Sequence, residues 1–83
     1  MSVSTHRFRG DALLMARLEL GLTQRDVADK CKALGRNVED SNLSRYERGL
    51  IVPGPRSLPV LAEVLGLAVG DLFERIPQSG DAA

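Results

Sequence analysis

The chain has 83 residues, of which 43% are hydrophobic and 27% charged, and its formal net charge is zero. This length supports a single domain with one core, and this composition is that of an ordinary folded protein rather than of a disordered chain. No apolar run reaches the roughly 18 residues of a membrane span, and the polar first nine residues lack the features of a secretion signal, so we expect a cytoplasmic protein without a membrane partner.

The apolar residues recur at intervals typical of α-helices, and we expect five helices between residues 7 and 76. Residues 1–6 and 77–83 are predicted to be flexible tails, because chain ends without an apolar pattern are usually poorly ordered. No segment shows the alternation of a half-buried strand. The predicted fold is therefore all-α, a compact globule of five short helices that cross steeply.

The first two helices are predicted before residue 35. The first covers about residues 9–20, and Gly21 is placed to end it. Its expected apolar stripe, with one arginine, consists of Leu13, Leu14, Arg17 and Leu20. Thr23 can cap a second helix, which Gly35 stops. The apolar residues expected on one face of this helix are Val27, Ala28, Cys31 and Leu34.

A short and mostly polar third helix is predicted next. Asp40 or Ser41 can cap its N-terminus, and Gly49 is placed to end it. It offers only Leu43 and Tyr46 to a core, so its remaining sides are expected to face solvent.

Two further helices follow the proline-rich segment 52–55, which cannot be helical. Ser57 can start the fourth helix, since proline is tolerated in a first turn, and Gly66 closes it. The fifth is expected over residues 68–75, and the residues available for its core contacts are Val69, Leu72, Phe73 and Ile76. Because this end of the chain is apolar, pairing with a second copy through it is one possible use.

Three blocks of sequence carry a specific resemblance. They are residues 21–28 (GLTQRDVA), 41–49 (SNLSRYERG) and 61–67 (LAEVLGL). Over roughly residues 9–75 the chain resembles the Cro and phage-repressor family (XRE-like, lambda-repressor-like) of helix-turn-helix DNA-binding proteins. The resemblance implies a five-helix, lambda-repressor-like domain whose second and third helices bind double-stranded DNA.

The connection between the second and third helices departs from this family pattern. Residues 32–39 include about five more residues than the tight turn of typical members. We expect the second helix to gain about one turn and residues 35–39 to form an extended loop, because lengthening a loop costs little free energy.

Matching the sequence to the family motif implies the DNA contacts. The expected base-reading residues are Asp40, Ser41, Asn42 and Arg45. The predicted phosphate contacts are Thr23, Gln24, Tyr46 and Arg48. Two loop arginines, Arg36 among the added residues of the extended connection and Arg56 before the fourth helix, are expected to add further phosphate contacts. Arg45 is the strongest candidate, because a guanidinium can bind guanine through two hydrogen bonds. Asp40 and Ser41 have an alternative role as helix caps, and Glu47 is expected to bind neighbouring backbone or an arginine.

These patterns predict a transcription regulator, a repressor that occupies a palindromic or near-palindromic operator as a homodimer, at least on DNA. The alternative is a protein-interaction module of the same fold, such as an antitoxin or a transcription-complex adaptor, which the neutral net charge, Glu39 and Asp40 favour. No enzyme, metal site or cofactor is expected, because no nucleophile has a matching base and Cys31 lacks ligand partners at metal-binding spacing. Cys31 is expected to be a buried structural thiol.

Overall fold

The computed structural model describes residues 5–76, which form four α-helices, one 3-10 turn and two short strands. The helices are α1 (Gly10–Glu19), α2 (Gln24–Ala33), α3 (Asp40–Glu47) and α4 (Ser57–Leu65). The 3-10 turn is Val69–Leu72, and the strands are β1 (Thr5–Phe8) and β2 (Phe73–Ile76). Among these described residues no helix has the length and apolar character that crossing a bilayer requires. The first four predicted helices are present.

The fifth predicted helix is absent from the described residues, so the prediction of an all-α, five-helix domain needs correction. The chain makes a single 3-10 turn over Val69–Leu72 and then forms β2, which pairs antiparallel with β1. A helix of about eight residues that contains Gly70 is only marginally stable, whereas pairing with β1 satisfies the backbone hydrogen bonds. Phe8 lies opposite Phe73, and their rings pack edge to face with centroids 5.7 Å apart.

The two strands also change the expected extent of the ordered chain. Thr5 and His6, which the sequence assigns to the N-terminal tail, pair with Ile76 and Arg75 in the sheet. The rest of the predicted tails, residues 1–4 and 77–83, lies outside the described residues.

One core joins the helices. Its buried apolar residues are Leu13, Ala16, Val27, Cys31, Val38, Leu43, Tyr46, Leu61, Ala62, Leu65 and Leu72. The predicted stripes are only partly right, because Leu20 and Leu34 follow the last turns of α1 and α2 and are exposed. Cys31 is fully buried as expected, and burial raises the pKa of its thiol.

The start of α2 is fixed by a reciprocal pair of hydrogen bonds. The Thr23 hydroxyl accepts from the Asp26 N–H at 3.0 Å, and the Asp26 carboxylate accepts from the Thr23 N–H at 2.9 Å. This capping box confirms the predicted cap at Thr23. The hydrogen bonds from Thr23 hold the pKa of Asp26 below its ordinary value.

The extended connection between α2 and α3 is attached to the body at two points. Helix α2 ends at Ala33, one residue short of the predicted end, and Gly35 follows with a φ of 89°. Val38 is buried in the core, and the Arg36 Nε donates to the Ser57 hydroxyl, 3.1 Å away, at the start of α4. The added residues therefore form an anchored loop that leaves the polar side of α3, with Asp40, Ser41 and Arg45, exposed.

The N-terminus of α1 lies directly against the C-terminal end of α3. A Cβ added at Gly10 would come within 2.3 Å of the Tyr46 carbonyl oxygen and 2.8 Å of the Glu47 carbonyl oxygen. Both contacts are with backbone atoms, which cannot turn away as a side chain can. Only glycine at residue 10 permits this approach.

Replacing Gly10 with alanine should destabilise the protein by about 1 to 3 kcal/mol, because α1 and α3 must separate to admit the methyl group. Urea denaturation followed by circular dichroism measures this loss. Gly70→Ala is the matched control, since no atom lies within 4 Å of its added Cβ. Equal stabilities for the two variants would contradict the close approach.

Replacing Asp26 with asparagine should lower the urea midpoint at pH 7. Because the folded-state pKa of Asp26 is depressed, the stabilisation is fully present above the ordinary aspartate pKa of about 3.9 and is lost as the pH falls through the folded value. The difference between variant and parent should therefore shrink below about pH 4. Asp29→Asn, at an exposed carboxylate 3.7 Å from Arg25, should show little change at either pH.

Candidate nucleic-acid interface

Helix α3 has one buried face and one exposed face. Leu43 and Tyr46 are buried against the other helices, as expected, and Glu47 is buried as well. Along the opposite side, Asp40, Ser41 and Arg45 are exposed and Asn42 is partly exposed. Arg48, which follows the last turn, is exposed as well. The lengthened connection leaves this face open to solvent.

The predicted cap of α3 is wrong. Glu39 precedes the first turn, and no side chain forms a capping hydrogen bond there. Asp40 is instead the first residue of the helix, and Ser41 is the second. The carboxylate of Asp40 lies in the first turn, where it interacts favourably with the positive end of the helix dipole.

The N-termini of α2 and α3 border one concavity. Thr23 and Gln24 from α2 line it together with Arg25 and Asp40, and Arg17 and Leu18 of α1 complete its wall. A second concavity on the other side of Arg25 and Asp40 is lined by Lys32, Asn37 and Glu39. The two share Arg25 and Asp40, so they form one continuous surface that runs along α2 and past the start of α3.

An ion pair holds α3 against α1 and α2. The Glu47 carboxylate accepts from the Arg17 Nε at 2.6 Å and from the Arg17 Nη2 at 3.0 Å, and the side chains of Arg17 and Glu47 are only 12% and 4% exposed. Arg17 also donates to the Leu22 carbonyl at 2.9 Å. Hydrogen bonding to Glu47 raises the pKa of the Arg17 guanidinium, so this guanidinium stays charged. The predicted arginine partner of Glu47 is confirmed.

Gln24 belongs to the same network. Its Nε2 donates to the Glu47 Oε1 at 3.0 Å, and a carboxylate can only accept, so this bond fixes the orientation of the amide. The second hydrogen on this nitrogen is not used in the bond. Thr23 is exposed, and its hydroxyl keeps its own hydrogen available as a donor while it accepts from Asp26.

Arg45 of α3 and Arg48, which follows the helix, are each held by a hydrogen bond near the exposed face of α3. The Arg45 Nη1 donates to the Asn42 Oδ1 at 3.2 Å, which joins two of the predicted base-reading residues one turn apart. The Arg48 Nε lies 3.4 Å from the Ser44 carbonyl oxygen. Neither guanidinium is in an ion pair with a described carboxylate.

Four predicted phosphate contacts line neither of the two concavities: Arg48, described above, and Arg36, Tyr46 and Arg56. Arg36 is directed to Ser57 at the start of α4. Tyr46 is buried in the core, as expected for its ring. Arg56 is exposed and precedes the first turn of α4.

Sequence reasoning missed three residues of this surface: Arg17, Arg25 and Lys32. The sequence pattern places Arg17 on an apolar stripe, and an arginine among leucines is itself a signal of a buried acidic partner. Arg25 and Lys32 carried no such signal, because exposed cations on a helix are ordinary.

The described residues contain no cluster of His, Cys, Asp or Glu that could hold a metal ion. The polar groups at the candidate surface are amides, hydroxyls, guanidiniums, carboxylates and the ammonium group of Lys32. Such groups bind phosphates and base edges through hydrogen bonds.

A helix-turn-helix domain family model matches residues 10–76. Among solved structures, the clp gene regulator ClgR from C. glutamicum is 30% identical, with a TM-score of 0.62 over 76% of this chain and 75% of that one. The hypothetical transcription factor NHTF from Neisseria is 20% identical, with a TM-score of 0.66 over 80% and 70% of the two chains, and so shares the fold. No curated protein sequence matches the chain.

Replacing Arg17 with methionine should cost about 3 to 5 kcal/mol of unfolding free energy, because the buried Glu47 carboxylate loses its cation. The double variant R17M/E47M should regain much of this loss, since the uncompensated charge is gone. Urea denaturation of both variants provides the measurement. Arg25→Met, which removes an exposed pair, is the control and should cost less than about 1 kcal/mol. A loss for Arg17→Met no greater than the control would show that the pair is not buried in solution.

Proposed function

The chain belongs to the family of helix-turn-helix domains, and from this premise we propose that it is a sequence-specific DNA-binding transcription regulator. In this proposal α3 enters the major groove and α2 lies across the sugar-phosphate backbone. The observation that carries it is the two-faced α3. Its apolar and ion-paired face holds the helix on the body, while its polar face, with Ser41 and Arg45, stays exposed.

The exposed face of α3 has the chemistry that base recognition requires. Arg45 offers a fork of donors to the acceptors of guanine, Ser41 can donate or accept, and Asp40 can accept from the amino group of cytosine. The Asn42–Arg45 hydrogen bond limits the conformations of the arginine side chain before binding. Less conformational entropy is therefore lost when the complex with DNA forms. Asn42 contributes to base reading mainly through this bond.

Phosphate contacts would position α3 without reading sequence. Thr23 and the remaining N–H of Gln24 would meet one phosphate group at the start of α2. Arg48 and Arg56 would meet the backbone beyond the end of α3. Tyr46 could contact a phosphate only through its hydroxyl group. Arg36 would have to break its hydrogen bond with Ser57 to contact a phosphate.

We further propose that the protein is a cytoplasmic repressor that occupies its operator as a homodimer. A two-fold operator places two recognition helices about 34 Å apart, so the half-site spacing reports the dimer geometry. The apolar end of the chain is a weaker dimer surface than its sequence indicates, because Leu72 is fully buried and Phe73 packs on Phe8.

A second candidate is a protein-interaction module of the same fold. Asp29, Glu39 and Asp40 lie around the second concavity, against the two cations Arg25 and Lys32. This acidic excess repels phosphates and suits a basic protein surface, as an antitoxin or an adaptor would need.

Selection of preferred sites from random duplex, followed by binding titrations over a range of salt, separates the two candidates. A DNA-binding regulator should yield a consensus with two related half-sites, and its affinity should fall steeply as salt rises. Arg45→Ala should cost about 1 to 3 kcal/mol and relax the preference at one base pair. Arg48→Ala should weaken specific and random duplex alike and reduce the salt slope by about 1.

Lys30→Ala is the control for general loss of charge, because Lys30 is exposed on α2 and lines neither concavity. Equal losses on specific and random duplex for Arg45→Ala would remove it as a base reader. Absence of binding to any duplex at low salt would reject the regulator and favour the interaction module.

A further inference from the structure

Three consecutive apolar residues stand exposed between α3 and α4. We call residues 50–52 the apolar tongue: Leu50 is 62% exposed, Ile51 39% and Val52 59%. A run of exposed apolar residues is avoided on soluble surfaces unless it has a function, because it promotes association. The regulator proposed above makes no use of it.

The backbone on both sides of the apolar tongue is fixed. The N–H of Leu50 donates to the Arg45 carbonyl at 3.0 Å, which ties the tongue to the last turn of α3. On the other side Pro53 is buried, and the Gly54 carbonyl accepts from the N–H groups of Ser57 and Leu58 at 3.0 and 3.1 Å. The tongue is therefore held outward by its ends.

The surroundings of the apolar tongue are basic. Residues 48–60 include two arginines, Arg48 and Arg56, and no acidic residue, although the whole chain is neutral. Both arginines are exposed, and neither is in an ion pair with a carboxylate in the described part of the chain. In the sequence, two cations thus flank the apolar tongue, and residues 48–60 include no negative charge to balance them.

A concavity extends the same surface towards the sheet. Val52 lines it with Phe8 and with the two arginines Arg7 and Arg9. The acidic residues on its wall, Glu74 and Asp11, are already paired with these arginines. The concavity adds an apolar ring beside the tongue and no unpaired negative charge.

We propose that the apolar tongue is the docking surface for a protein segment whose apolar side chains are flanked by carboxylates. Its apolar residues would cover Leu50, Ile51 and Val52, and its carboxylates would pair with Arg48 and Arg56. A second copy fits less well, because a two-fold contact places the same patch on itself and brings like charges together. DNA phosphates match the arginines but leave the apolar centre without a partner.

Three synthetic 15-residue peptides test this proposal by fluorescence anisotropy. The first combines leucine and phenylalanine with glutamate, the second has lysine in place of glutamate, and the third has serine in place of the apolar residues. The first should bind at least about tenfold more tightly than the other two, because only it matches both features of the surface. Backbone amide shifts in the spectrum of the labelled protein should change around residues 48–56 and 7–9.

The variant L50S/I51S/V52S should lose at least about tenfold in affinity for the first peptide, whereas the control M15S/L18S, with comparable exposed apolar residues on α1, should not. Both variants alter exposed side chains and should keep the parent's circular dichroism spectrum. Equal binding of the three peptides, binding that survives the tongue variant, or no binding of the first peptide at millimolar concentration would overturn the proposal. A parent that sediments as a dimer while the tongue variant sediments as a monomer would also overturn it, in favour of a second copy. None of these measurements involves DNA, so the proposal stands or falls separately from the regulator.

Discussion

The position of α3 depends on a single buried carboxylate. Glu47 lies near the end of that helix and accepts hydrogen bonds from Arg17 of α1 and Gln24 of α2, so three helices meet at one group. A buried carboxylate without partners would be very costly, whereas here each described donor is within 3.0 Å. The ion pair therefore specifies which face of α3 turns inward. The exposed face, on which the proposed DNA contacts lie, follows from that choice.

The backbone around Glu47 reinforces the same arrangement. Gly10 allows the start of α1 to approach the carbonyl groups of Tyr46 and Glu47, which brings the positive end of one helix dipole to the negative end of another. Arg17 then lies two turns along α1, at the level of the Glu47 side chain. Gly10, through its lack of a side chain, and Arg17, through its long side chain, thus position the same turn of α3.

Local signals in the sequence were sufficient for the helices and for much of the candidate site. Thr23, Gly66 and the buried Cys31 have the roles that their residue types indicate, and the arginine expected beside Glu47 is present. The sheet escaped prediction because each strand has only four residues, too few to show an alternation, and β1 pairs with a strand at the other end of the domain. The hydrogen bond between Arg36 and Ser57 also escaped prediction, because the two residues are 21 positions apart in the chain. Contacts of this range are set by packing, and no local pattern reports them.

The charges along α3 are distributed unevenly. In the proposed complex, this distribution separates the residues that contact bases from those that contact the phosphate backbone. Asp40 lies in the first turn of α3, where its carboxylate offsets the positive end of the helix dipole and weakens the attraction of that end for phosphates. The cations lie further along, at Arg45 and Arg48. On a duplex, the cations would draw the C-terminal end of α3 towards the DNA phosphates. The acidic N-terminal end of α3 could then accept hydrogen bonds from the amino groups of the bases. The zero net charge of the chain is therefore compatible with the proposed DNA binding, because the local field at α3 depends on where its charges lie as well as on their sum.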